Sequence, residues 1–291
     1  MIEERVSRLA GADVRALRRI KGGGYAASFR AVAELADGRT VFVKAGAEEV
    51  TSGFLRDEQR VYAALSGPFM PELVGMDDGE PPLLVLEDLS TGHWPPPWDD
   101  ASVAAVRRTL DAVAATPPPE WLPPITRDAD WLLLGWAEIE RDPRPFLSLG
   151  VCSSEWLERS LPTLRKAAEN APIAGDALLH IDVRSDNICV TSRGAVLVDW
   201  NHAHRGNADL DVACWLPSLA DECGLQPETI LPDAGGLASA LAGFFGSRGG
   251  LPPPPTAPRV REVQLSQLRT ALPWAARALD LPPIGSSRHD S

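Results

Sequence analysis

Residues 178–200, LLHIDVRSDNICVTSRGAVLVDW, decide the reading of this chain. Two short β-branched runs, NICVT and AVLVDW, flank Ser192, Arg193 and Gly194, the pattern of a hairpin closed by a three-residue loop. Counting back from Arg193 pairs Thr191 with Ala195 and, four steps on, Asn187 with Asp199. Directly opposed residues of an antiparallel ladder lie about 5 Å apart at Cα. An amide oxygen and a carboxylate so placed can grip one hard cation, and Asp182 sits in the loop that enters the hairpin. Oxygen donors of this kind suit Mg2+, which takes one or two protein groups and completes its shell with phosphate and water. Taken alone, the same Asx residues are also ordinary turns and caps beside strands, so the rest of the chain must decide.

HIDVRSDN followed by VDW resembles the catalytic loop and metal-binding element of the aminoglycoside phosphotransferase and choline kinase family, small-molecule relatives of protein kinases. In protein kinases an HRD loop carries the catalytic Asp, an Asn follows five residues later, and the Asp of DFG comes next. Asp182 to Asn187 is the same five-residue step. The resemblance implies an α+β, protein-kinase-like two-lobe fold. Residues 1–88 would form a nucleotide-binding lobe with a small antiparallel sheet and one helix, and residues 89–291 a larger, mostly helical catalytic and acceptor-binding lobe.

That fold requires four features upstream: a glycine-rich turn over the phosphates, a strand Lys, a helix Glu paired with it, and a strand leading to a link between lobes. Candidates occur in that order. KGGGYAASF holds Gly22, Gly23 and Gly24, where missing Cβ atoms let backbone N–H groups approach an anion. No GKS or GKT follows, so this is not a Walker A sequence. Under the resemblance Gly23, Gly24 and Ser28 contact the donor phosphates. FRAVAEL and RTVFVK flank Ala36, Asp37 and Gly38, and Asp-Gly is a strong hairpin signal. Lys44 is then the last residue of its strand, sharing a face with Phe42 while Val41 and Val43 share the other.

In LRDEQRVYAAL, Glu58, Tyr62 and Leu65 fall at i, i+4 and i+7, which puts the carboxylate on or beside an apolar stripe. A buried carboxylate without a partner is costly, and the resemblance points to Lys44 as that partner. PPLLVLEDLS reads as a buried strand ending at Glu87 and Asp88, which resembles the family's inter-lobe link. Backbone groups of Glu87 and Leu89 would there meet a purine edge.

The resemblance also implies roles. Asp182 is the catalytic base or the group that orients the acceptor hydroxyl, and Arg184 is a γ-phosphate contact. Asn187 and Asp199 hold Mg2+, Lys44 clamps the α and β phosphates of ATP or GTP, and Glu58 keeps its ammonium in place. His180 braces the loop, and Asp211, at a helix start, ties the loop down; an acid there also suits the helix dipole. Two positions depart from the pattern. Ile181 stands where the family usually has Gly, and Trp200 and Asn201 follow the metal Asp in place of Phe and Gly.

A net charge of −12 over 291 residues argues against a nucleic-acid or anionic-membrane partner and suits a small hydroxylated acceptor that is cationic. The N-terminus carries early acids and no signal-type apolar core, and no window reaches about 18 uninterrupted apolar residues. Cys152, Cys189, Cys214 and Cys223 show neither a CxxC pair nor a disulfide framework. A cytoplasmic protein, monomeric or homodimeric, is expected.

Downstream, ASVAAVRRTLDAVAAT has helical spacing at Val103, Val106, Leu110 and Val113. Trp131, Leu134, Ala137 and Ile139 suggest a helix ending near Pro143. SSEWLERSLPTLRKAAEN suggests one interrupted at Pro162, and ADLDVACWLPSLA one ending at DECG. LPPPPTAP reads as a connector to a last helix, with a frayed tail after Leu281.

For the acceptor, acids such as Asp128, Asp130, Glu138, Glu140, Asp221 and Glu222 could meet amines or be solvated faces. Trp131, Trp136 and His202 could line a pocket or pack a core. An aminoglycoside-like antibiotic or amino sugar is favoured, with choline, amino-alcohol and nucleoside acceptors and a catalytically silent nucleotide-binding module as alternatives. A metal-dependent hydrolase using His180, Asp182, His202 and His204 would leave the glycines, Lys44 and Glu58 without a role. An ordinary protein kinase would need an APE-like segment and a longer stretch after Asp199.

Overall fold

The computed structural model describes residues 1–20, 28–255 and 257–285; Gly22, Gly23 and Gly24 lie outside the described residues, as do Thr256 and the tail from 286. Two compact units form, Met1–Trp121 with Ser185–Ala203, and Leu122–Arg184 with the chain from His204 onward. This partition differs from a cut at 88, because 89–121 packs on the 185–203 segment and both cluster with the first 88 residues.

In the first unit, helix α1 (Ile2–Ala10) precedes strands β1 (Val14–Arg19), β2 (Ser28–Leu35) and β3 (Thr40–Gly46), helix α2 (Glu49–Ala64), and strands β4 (Leu73–Asp77) and β5 (Leu83–Glu87). The strands make one antiparallel sheet in the order β1-β2-β3-β5-β4. The β2–β3 turn is the expected one: Gly38 takes a φ of 90° and the Arg39 N–H donates to Asp37 Oδ1 at 3.0 Å. Val41, Val43 and Ala45 of β3 join Ala33, Leu35, Leu83 and Val85 in a core closed by Val6 and Ala10 of α1, a helix that the sequence reading did not assign. Fully burying a Val is worth roughly 1.5–3 kcal/mol, and a one-residue slip would turn Lys44 into this core, so the register is strongly specified. β3 runs on to Gly46, two residues beyond the end expected at Lys44, because Ala45 and Gly46 still pair with Phe29 and Ser28.

In the first turn of helix α2, Thr51 Oγ1 accepts the N–H groups of Ala47 and Glu48, both at 3.1 Å, and the helix stops before Ser66-Gly67-Pro68. Its inward stripe buries Glu58 and Tyr62, and Leu65 caps it, as the spacing predicts. Helix α3 (Asp100–Ala115) is capped by Asp99, which accepts from Ser102 N at 2.7 Å. It buries Val106, Leu110 and Val113, and its Thr109 hydroxyl donates to Ala195 O at 2.9 Å.

The hairpin of Ile188–Thr191 and Gly194–Leu197 differs from expectation by one residue. Thr191 pairs with Gly194, not Ala195, so the turn holds only Ser192 and Arg193. Gly194 makes this possible, since it adopts a φ of 123° that side-chain-bearing residues avoid, and the Thr191 hydroxyl donates to Gly194 O at 3.0 Å. Asn187 therefore faces Val198, whose N–H donates to Asn187 O at 3.0 Å, and Asp199 lies one step further on.

In the second unit, helices α4 (Asp130–Leu133), α5 (Gly135–Arg141), α6 (Arg144–Leu147) and α7 (Ser154–Glu169) precede a short pairing of Ala177–Leu179 with His204–Gly206. Helices α8 (Asp209–Cys223), α9 (Gly235–Gly249) and α10 (Val260–Ala278) follow. The helix expected from Trp131 to near Pro143 is broken at Leu134, and its buried positions are Leu132, Trp136 and Ile139. The cause is close packing on α9: a Cβ on Gly135 would lie 2.2 Å from the Gly243 carbonyl, and the Trp136 indole donates to Ser239 O at 2.8 Å. Helix α7 continues through Pro162, where an interruption was expected. Helix α9, which no amphipathic pattern announced, is buried on nearly every side. Past Leu281 the chain is held at Pro282, whose carbonyl accepts the Trp156 indole N–H at 2.8 Å. Among the described residues no helix is long and apolar enough to cross a membrane.

Candidate functional site

On the sheet face away from the Val41–Val43 core, a cavity of about 530 Å³ is lined by Lys44 and Glu58, by apolar groups that include Val32, Phe42 and Leu86, and by Asn187 and Asp199. Its size is that of a small-molecule site. Strand alternation puts Phe42 and Lys44 on this face, and α2 brings Glu58 to it. The ammonium of Lys44 donates to Glu58 Oε2 at 2.6 Å and to Asp199 Oδ1. Glu58 is only 1% exposed, and it also receives the backbone N–H of Trp200.

One ammonium thus serves two carboxylates. Burial works to lower the Lys44 pKa, but the charges of Asp199 and Glu58 outweigh it and raise the pKa, so the group stays cationic. Burial pushes the Glu58 carboxyl up, against the pull of Lys44.

Asp199 is carried by a left-handed residue, φ 65°, directly after the hairpin. Trp200, at the position of the family's Phe, is fully buried against Phe69 at 5.7 Å between ring centroids, and its indole donates to Leu197 O at 2.8 Å. It holds Asp199 toward the cavity by packing. The side chains of Asn187 and Asp199 offer hard oxygen atoms without sulfur, a donor set that fits Mg2+. Among the described residues no group of three or more His, Cys, Asp or Glu is gathered as metal ligands.

Glu87 and Leu89 also line the cavity, but the Glu87 side chain is engaged elsewhere. Arg193 grips it with two nitrogens, at 2.6 and 2.5 Å, and this hydrogen bonding holds its carboxyl below the usual range. The Leu89 carbonyl accepts from Gly92 N at 3.0 Å and Trp94 Nε1 at 3.2 Å, whereas its N–H meets no acceptor among the described residues. Ser28 opens β2 opposite Gly46 and does not line the cavity; Gly23 and Gly24 lie outside the described residues. The sequence reading missed Arg18, Arg30, Trp94 and Arg193. Their places follow from cross-strand pairing and turn geometry, for which no local motif exists.

The second unit carries the 180–184 loop. Asp211, in the first turn of α8, accepts the N–H of His180 at Oδ2 and of Ile181 at Oδ1, both at 2.7 Å. It is 3% exposed, and burial pushes its carboxyl up to about 7 despite those two bonds. His180 is fully buried, and its Nδ1 accepts the Asp182 N–H at 3.2 Å. These contacts bend the backbone through Ile181 at a φ of 71°. A β-branched residue is strained there, whereas a Gly would not be. Asp182 pairs with Arg184, Oδ1 to Nε, at 3.2 Å. Of the acceptor candidates, Trp136 is core, Trp131 packs on Phe244 at 5.2 Å, and His202 on Phe54 at 5.8 Å between ring centroids. Asp128, Asp130, Glu138, Glu140, Asp221 and Glu222 are exposed.

Residues 17–244 match the model of the phosphotransferase enzyme family (APH). Over 58 residues the chain is 45% identical to thiamine kinase of Salmonella paratyphi B, a segment that is 20% of this chain and 20% of that protein. The chain therefore spans about a fifth of the length of the curated relatives it matches. Among solved structures, spectinomycin phosphotransferase APH(9)-Ia, in complex with ADP and spectinomycin, aligns over 96% of this chain and 98% of its own with a TM-score of 0.65 and 11% identity. A choline/ethanolamine kinase family protein from Mesorhizobium loti aligns over 96% and 98%, with a TM-score of 0.60 and 14% identity. At such identities the likeness carries the fold, which is α+β and protein-kinase-like.

Proposed function

This chain belongs to the phosphotransferase enzyme family, and on that footing we propose that it moves the γ-phosphate of ATP or GTP to a hydroxyl of a small molecule. The observation that carries the reading is Lys44 held between Glu58 and Asp199 in a cavity that Asn187 also lines. Mg2+, when bound, would neutralise phosphate charge beside Asn187 and Asp199. Lys44 would hold the α and β phosphates, with Glu58 fixing its ammonium. The N–H of Leu89 would meet the purine edge.

Asp182 would orient the acceptor hydroxyl. As the acceptor oxygen bonds to the γ-phosphorus, the bond to the bridging β–γ oxygen breaks, the nucleoside diphosphate leaves, and the hydroxyl proton passes to an Asp182 carboxylate oxygen. Arg184 would turn from Asp182 to the transferred phosphate. His180 and Asp211 would support the loop without exchanging protons.

The acceptor we favour is an aminoglycoside-like antibiotic or amino sugar, in keeping with the net charge of −12. The 45% identity with thiamine kinase over 58 residues favours a second reading, a metabolic alcohol such as a vitamin, amino alcohol or nucleoside. A cytoplasmic site of action would supply nucleotide and Mg2+. The test is coupled ADP or GDP release from ATP and GTP with Mg2+, across aminoglycosides, amino sugars, thiamine, choline and nucleosides, beside Asp182→Asn. Acceptor-dependent release that the variant lowers by about 10²–10⁴ supports the reading. Release that Asp182→Asn leaves unchanged would overturn the role of Asp182.

A further inference from the structure

We propose that Arg30, with Arg18 beside it, binds the phosphates of the nucleotide donor as a cationic contact additional to Lys44. The inference rests on the nucleotide-dependent reading above. Arg30 lies directly opposite Lys44 in the β2–β3 ladder, and Arg18 directly opposite Val32, so all three cations share the cavity face of the sheet. Opposed residues on one face have Cβ atoms about 4.5–5.5 Å apart, and diagonal neighbours remain within reach of long side chains.

Two like charges directly opposite each other destabilise a sheet, yet Arg30 faces Lys44. Lys44 is relieved by Glu58 and Asp199. Neither Arg18 nor Arg30 is ion-paired among the described residues, and the joining segment 21–27, KGGGYAA, contains no acid to pair with them. Nearby arginines differ. Arg193 is spent on Glu87, and Arg19 lies over the Phe29 ring at 5.1 Å. Guanidinium groups on the wall of a cavity that make no ion pair among the described residues leave charge for an anion from outside the protein to match.

The lining also carries five carboxylates, of Glu58, Glu87, Asp88, Asp186 and Asp199. A polyanionic ligand entering it needs more positive charge than one shared ammonium. Guanidinium groups meet phosphate oxygens through two parallel N–H bonds, which gives them orientation as well as charge. Arg30, at the cationic end of the cavity face with Lys44, lies three residues past the segment 21–27 in the sequence. Away from these cations, Val32, Phe42, Leu86 and Leu89 supply apolar lining.

The experiment is calorimetric binding of ADP, a non-hydrolysable ATP analogue, AMP and adenosine to the full chain with Mg2+, comparing wild type with Arg30→Ala, Arg30→Lys and Arg18→Ala. Melting temperature without ligand is measured for each. Arg30→Ala should weaken ADP and the ATP analogue on the order of tenfold while adenosine stays within about twofold. Arg30→Lys should recover part of the loss, and the exposed Arg18 should show a smaller effect of the same kind. The ligand-free melting temperature should hold or rise, because a like-charge contact is removed. Equal losses for adenosine and ADP, or unchanged ADP binding, would overturn the phosphate role. A wild type that binds none of these nucleotides, nor GDP, would instead overturn the nucleotide-dependent reading and this proposal with it.

Discussion

Arg193, in the turn of the 188–197 hairpin, holds Glu87, the last residue of β5, through Nη1 to Oε1 at 2.6 Å and Nη2 to Oε2 at 2.5 Å. The pair ties the segment that carries Asn187 and Asp199 to the segment that carries Leu89. Val190 and His93 add two backbone bonds to the same seam, at 2.8 and 2.7 Å.

Arg193→Ala should therefore cost about 1 kcal/mol in denaturant unfolding, the scale of a partly exposed bidentate pair, and should raise the nucleotide Kd several-fold. The Glu87 pKa is lowered in the folded state, so its contribution is present above the ordinary carboxylate range and is lost as pH falls through the folded value. The variant should show a shallower acid limb. An unchanged Kd would separate the seam from nucleotide binding.

Lys44→Met should be costly to the fold as well as to binding. It leaves Glu58 buried without a cation, a defect of about 3–5 kcal/mol. Glu58→Gln should be milder, since Lys44 keeps Asp199 as partner. The double variant Lys44→Met/Glu58→Gln should recover much of the lost stability in urea unfolding without recovering nucleotide affinity. A double variant no more stable than Lys44→Met would show that the stranded charge is not the cause.

Asp211 makes a pH signature. Its carboxyl sits near 7 folded against an ordinary value of 3.8, so the folded state holds a proton that the unfolded chain has lost between those limits. Stability from this group is full at low pH and declines as pH rises from about 4 to about 7. Asp211→Asn should flatten that decline. It should also cost about 1–3 kcal/mol, because an Asn has one acceptor oxygen for the two N–H groups of His180 and Ile181. Thermal unfolding of both proteins across this pH range reads both effects.

Ile181→Gly tests the strain in the loop. A left-handed residue costs about 1–2 kcal/mol when it bears a side chain, and the added freedom of Gly in the unfolded chain returns about 0.5–1 kcal/mol of that. A net gain of up to about 1 kcal/mol in unfolding free energy is expected, with nucleotide binding unchanged. A clear loss of stability would mean that the Ile181 side chain contributes more by packing than its backbone costs.

The sequence by itself determined what depends on short spacing and periodicity. Lys44 falls on the face opposite Val41 and Val43 because a strand alternates, and Glu58 falls on the buried stripe of α2 with Tyr62 because a helix repeats every 3.6 residues. The five-residue step from Asp182 to Asn187 and the VDW run after the hairpin are equally local. Only the tertiary structure decided the hairpin register, where Gly194 takes a ladder position and moves the partner of Asn187 to Val198. It also decided that Arg30 faces Lys44, that Arg193 engages Glu87 across 106 positions of sequence, and that Gly-rich α9 is helical at all. Those outcomes come from groups distant in the chain that compete for one partner or one packed space. A local pattern records what a residue prefers, whereas burial and pairing select which preference is met.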